Sequence, residues 1–152
     1  MIYIPEVFMS IGFLIILIIS VFVKKNQNIV LGYLSLLLIF LTQFFVLKDI
    51  FLFEEIFNNF FVIDSFGSFL KSVILICAGF VIYFYLIVKN DSSLNRPEFS
   101  MIILISIIGM MLMVSSNDLL SLFVSIELQS LALYILVSFS KGDFNSSEAG
   151  VK

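Results

Sequence analysis

Apolar residues in this chain fall in long unbroken runs separated by short polar links, not in the alternation of a strand or the single stripe of a surface helix. A helix rising 1.5 Å per residue needs about 20 mostly apolar residues to cross a bilayer. By that measure the pattern predicts about five spans: Pro5 to Val23, Ile29 to Leu47, Ser65 to Val88, Phe99 to Ser115 and Leu119 to Phe139. Pro5 suits a first helical turn, where its missing N–H costs nothing. The runs are too long and too continuously apolar for the strands of a membrane barrel. KKNQN (24–28) and KNDSSLNRPEF (89–99) read as polar links, with Pro97 opening the fourth helix. SSND (115–118) is so short and so rich in capping residues that it predicts an antiparallel hairpin of the fourth and fifth spans. KDIFLFEEIFNNFFVID (48–64) alternates acids with Phe and Ile, as expected of a segment lying on the membrane surface. After Phe139 polarity rises, and Ser146 or Ser147 with Glu148 predicts the opening of a sixth helix just before Lys152.

Composition strengthens the membrane reading. Of 152 residues, 61% are hydrophobic and 12% charged, against about 45–50% and about 25% in soluble domains. The net charge of −3 resides mostly in short links, so no nucleic-acid interface is expected. With no His and a single cysteine, neither a histidine metal site nor an internal disulfide can be built. Cys77 is expected to be a small buried hydrophobe. The N-terminal run carries Glu6 and lacks both the basic leader of a secretory signal and the Arg-rich pattern of a transit peptide. It is expected to be a retained first helix. The 19 Phe and few Pro suggest an AT-rich genome, hence synthesis in an organelle or a bacterium.

Charge in the links sets the expected orientation. Lys24, Lys25, Lys89, Arg96 and Lys141 fall in the first, third and fifth connections, which alternate to one side. The positive-inside rule places that side in the cytoplasm or matrix and the N-terminus outside. Lys48 lies opposite, with Lys71 expected to snorkel out to that side, paired with Asp64 on the same face.

One acid does not fit a plain span. SIELQSLALYIL (125–136) sets Glu127 and Gln129 within the fifth helix. A charged residue at a helix centre costs roughly 2.5–3.5 kcal/mol on insertion, while about a dozen strong apolar residues return roughly 4–7 kcal/mol. The helix can insert, and some benefit is expected to offset the cost. At about 100° per residue, Tyr134 and Ser138 fall within about 20° of Glu127 and Ser130 within about 60°. Ser125 and Gln129 lie nearly opposite. Two polar stripes predict protein on both sides, because lipid cannot hydrogen-bond either. Glu127 is then either a paired acid holding helices together or an ionisable site on an ion path, since moving a neighbouring cation changes what an acid and its partner bind. Asp118 is explained as a helix cap, and Gly109 with Ser106 as a close-packing spot. Met110, Met111 and Met113 read as filler. No phosphate loop, metal cluster or nucleophile–base pair is present, so redox or covalent chemistry in this chain is not expected.

The pieces PEF, GMMLMVSSNDLLSLF, IELQSLALYIL and SEAGVK, in order between Pro97 and Lys152, resemble the NADH dehydrogenase subunit 2 family. These are antiporter-like, proton-translocating subunits of respiratory complex I. FVIDSFGSFLK resembles the start of the family's third helix; elsewhere upstream only the hydrophobic pattern agrees. The resemblance implies an all-α, polytopic transmembrane bundle of about five spans. Residues 1–96 would form an N-terminal three-helix segment, and residues 97–152 the start of the antiporter-like repeat. It implies membrane-arm work in a complex whose NADH oxidation and ubiquinone reduction occur in other subunits, with no cofactor in this chain. A multi-subunit cation/proton antiporter and a purely structural scaffold are the alternatives. Glu127 matches the family's fifth-helix glutamate, which pairs with a lysine on the seventh helix and tunes that lysine's hold on its proton. Lys152 matches the lysine of the family's EA-x-x-K motif and is the second candidate. The seventh helix lies beyond this sequence. The expectation is therefore the N-terminal part of a split subunit, with a second polypeptide carrying the rest. Other membrane-arm subunits and membrane lipids would be its neighbours, in the mitochondrial inner membrane.

Overall fold

The computed structural model describes residues 4–23, 27–49, 54–56, 60–87 and 98–138, with backbone only at 4, 49 and 54–56. The links bearing Lys24, Lys25, Lys89, Arg96 and Pro97 lie outside the described residues, as do Lys141, Ser146, Ser147, Glu148 and Lys152. Five helices follow the apolar runs: α1 (Ile4–Phe22), α2 (Gln27–Asp49), α3 (Ser65–Ile87), α4 (Glu98–Ser115) and α5 (Leu119–Val137). All five are long and apolar enough to cross a membrane. The chain is a multi-pass membrane protein with an all-α bundle.

The segment expected to lie along the surface contains a short antiparallel hairpin, β1 (Glu54–Ile56) and β2 (Phe61–Ile63), with Glu54 opposite Ile63 and Ile56 opposite Phe61. Alternating acids and β-favouring residues suit a pleated ribbon as well as a surface helix. What favours the ribbon is tertiary. Phe61 bridges to Ser116, the Asn117 N–H donates to the Phe60 carbonyl at 2.9 Å, and the Ser121 hydroxyl donates to the same carbonyl at 3.2 Å. The hairpin thus closes on the α4–α5 link.

Helix α4 is the axis of the bundle. It packs on α5 most extensively and also on α3, α1 and α2, while α2 lies between α1 and α3. Met9, Leu31, Leu75, Ile82, Leu104, Ile107 and Met111 are fully enclosed where these helices meet. Helix α5 has its one extensive contact, among the described residues, with α4. Small residues make that seam: Ser121, Ser125 and Ala132 are buried, and Gly109 meets the Gln129 backbone so closely that a Cβ there would lie 2.9 Å from its nitrogen. Close approach at small residues is how helices associate where no water drives them together.

Capping residues behave as the sequence predicts. Asp118 has extended backbone and its carboxylate accepts from the Leu120 N–H at 3.2 Å, opening α5. Asp64 opens α3 in the same way, accepting from the Gly67 N–H at 2.8 Å. Buried hydroxyls turn back on their own helices: Thr42 donates to the Leu38 carbonyl and Ser125 to the Ser121 carbonyl, both at 2.7 Å. Gln43 on α2 donates to the Ser72 hydroxyl on α3. Cys77, expected to be buried, is exposed on α3; it lines an open groove whose other walls are α4 and α5, with Met110 and Leu136 among them.

Candidate functional site

Two of the carboxylates carried by the apolar helices, Glu127 and Glu6, lie in opposite surroundings. Glu127 is on α5, about 12 Å along from Leu119 at 1.5 Å per residue. Because Ser125 and Gln129 turn to α4, Glu127 points nearly the opposite way and is exposed. Tyr134, on the same stripe, is also exposed. The Ser130 and Ser138 hydroxyls do not reach towards the acid; they donate to the Glu127 and Ile135 carbonyls of the helix at 3.0 and 3.1 Å. Among the described residues no cation pairs with the Glu127 carboxylate. The stripe is therefore an acid and a phenol on a face that the described residues do not cover. Lys152 lies outside the described residues.

The second acid is Glu6, two residues into α1. Its Oε1 lies 2.6 Å from Lys71 Nζ, with both side chains almost wholly enclosed (3% and 4% exposed). The Ser115 hydroxyl donates to the same oxygen at 3.0 Å and also to the Met111 carbonyl at 3.1 Å. Glu6 Oε2 is buried and has no hydrogen-bond partner among the described residues. Lys71 therefore does not snorkel outward beside Asp64. It turns into the bundle to Glu6, while Asp64 is engaged as the α3 cap. Local spacing favoured Asp64, whereas the actual partner is far away in sequence. One signal points to it: antiparallel packing sets the starts of α1 and α3 at the same end, so opposite charges near those starts can meet.

Comparison with known proteins gives these positions a context. Residues 116–152 match the family described as "NADH:quinone oxidoreductase/Mrp antiporter, TM". NADH-quinone oxidoreductase subunit N of Pelagibacter ubique is 37% identical over 150 residues, covering 97% of this chain and 31% of that protein. The subunit N proteins of Parvibaculum lavamentivorans and Bartonella bacilliformis are each 33% identical, again over 97% of the chain and about 30% of their own length. The chain thus spans about a third of the curated relatives it matches. The likeness extends over α1 to α5, well beyond the C-terminal motifs that carry the resemblance in the sequence.

Proposed function

We propose that this chain, a relative of the antiporter-like subunits of complex I, works in the membrane arm of a proton-translocating NADH:quinone oxidoreductase. Glu127 is its ionisable group towards the rest of the subunit. One observation carries the reading: on α5 the Ser125–Gln129 side is spent on α4, and the carboxylate is presented on the opposite side, which the described residues leave uncovered. An acid facing acyl chains is costly, so a covering protein surface with a cationic group is the arrangement that physics favours. Two unit charges at 4 Å interact by about 4 kcal/mol at an effective dielectric near 20. That is enough for Glu127 to decide whether an amine opposite it keeps its proton. Approach of the charged acid holds the proton; separation releases it.

The relatives are much longer than this chain, which supports assigning the covering surface to the subunit's remaining helices. Other membrane-arm subunits and lipid would surround the bundle. Composition favours the mitochondrial inner membrane, although the relatives named are bacterial. Lys152 keeps its proposed place in the EA-x-x-K motif. Electron transfer is left to other subunits.

The test is Glu127→Gln in the assembled complex. The variant is expected to assemble in normal amounts and oxidise NADH while moving fewer protons per NADH. Parent-level proton output would overturn the role. A photo-crosslinker at Tyr134 is expected to capture a protein segment on the Glu127 side; capture of lipid alone would remove the proposed partner.

A further inference from the structure

The Glu6–Lys71 pair plays no part in the Glu127 scheme, and stability alone does not explain it. Burying two charges costs several kcal/mol each in desolvation, and replacing such a pair by apolar side chains of similar size is often neutral or stabilising. In a bundle whose other enclosed contacts are mostly aliphatic, an intramembrane acid and base invite a functional reading.

The geometry supplies one. Lys71 and Ser115 both bind Glu6 Oε1, which leaves Oε2 enclosed and without a hydrogen-bond partner among the described residues. This oxygen has lone-pair capacity that no described residue uses. Ser115 ends α4, next to Ser116 and Asn117, which the β2 edge contacts at the polar end of the bundle. Ser115 thus holds the carboxylate through Oε1 close to that end. We propose that Glu6, Lys71 and Ser115 form a second proton-exchanging site, contained wholly within this chain. A hydronium ion reaching the site gives up a proton, its O–H bond breaking as one forms at Glu6 Oε2; water is left behind, and the site changes from a neutral ion pair to a neutral acid beside an ammonium, net +1. The same O–H bond breaks when the proton leaves, restoring the pair. Among the described residues the groups on the carboxylate are the Ser115 hydroxyl on α4 and Lys71 on α3, and Ser10 donates to the Glu6 backbone carbonyl.

This inference rests on the reading of the chain as part of a proton-translocating subunit. Its test separates the two sites. Glu6→Leu with Lys71→Met, made together in the complete complex, removes both charges and leaves neither partner stranded. The double variant is expected to assemble, to oxidise NADH, and to move fewer protons per NADH than the parent. Glu6→Gln is expected to lose a protonated-carboxyl band from the pH-difference infrared spectrum of the assembled complex. If the double variant assembles and moves the parent number of protons, the pair is only a fastener and the proposal is overturned. If it fails to assemble, the pair's work is to hold helices, which overturns it equally. Glu127→Gln run in parallel keeps the readings apart: lost output there with parent output in the double variant sinks this inference alone. Parent output in both sinks the underlying reading too.

Discussion

Glu6 and Glu127 are the same side chain in similarly apolar helices, and the bundle treats them in opposite ways. Glu6 is enclosed where α1, α3 and α4 meet, with its cation and a hydroxyl in place. Glu127 is presented by the helix with the fewest neighbours, on the face turned from its seam. The contrast shows that an acid in a span announces only that it needs protein, not where that protein is. For Glu6 the need is met inside the chain; for Glu127 the structure leaves it to whatever lies beyond α5.

The comparison breaks most visibly if the two acids respond alike to removal. Stranding one partner of a buried pair costs about 3–5 kcal/mol. Glu6→Leu or Lys71→Met alone is therefore expected to deplete the chain from membranes and to lower the thermal midpoint of the purified complex. Glu127→Gln in the same assay is expected to leave both unchanged. Equal losses for Glu6→Leu and Glu127→Gln would mean that Glu127 is an assembly contact. The next largest effect sharpens the claim that α5 is held by a single seam. Gly109→Leu forces a side chain into the Gln129 backbone and is expected to cost roughly 1–3 kcal/mol, as overpacking does. It would be read as faster proteolysis at the α4–α5 link, with the Glu6–Lys71 region still protected. The smallest is Asp118→Ala, expected to cost about 1 kcal/mol through loss of the cap and to be largely recovered by Asp118→Asn. A thermal shift of the complex reads it.

Most of the bundle was legible in the residues, because span length and apolarity are set by the bilayer and not by the partner. The observed helices begin and end within about two residues of the sequence-read spans, which is as closely as helix ends are defined. Gly109, Asp118 and the two faces of α5 were legible for the same reason, each being a local consequence of helical geometry. The partner of Lys71 was not. Periodicity ranks neighbours a turn or two away, and Asp64 won that ranking. Glu6 wins in three dimensions, where the starts of α1 and α3 come together and Asp64 is already occupied with the Gly67 N–H. The β1–β2 hairpin was missed because three-residue strands carry too little alternation to separate them from a surface helix, and the α4–α5 link provides their deciding contact. Cys77 was misplaced because a uniformly apolar helix does not reveal which flank its neighbours leave bare.

The contact of Gly109 with the Gln129 backbone makes α4 and α5 keep a common ruler. With main chain against main chain there is no long side chain to flex, so one helix cannot slip along the other without a clash. The height of Glu127 in the slab is thereby tied to that of Ser115, and through Ser115 to the carboxylate it touches. A shift at either acid would arrive at the other as a displacement.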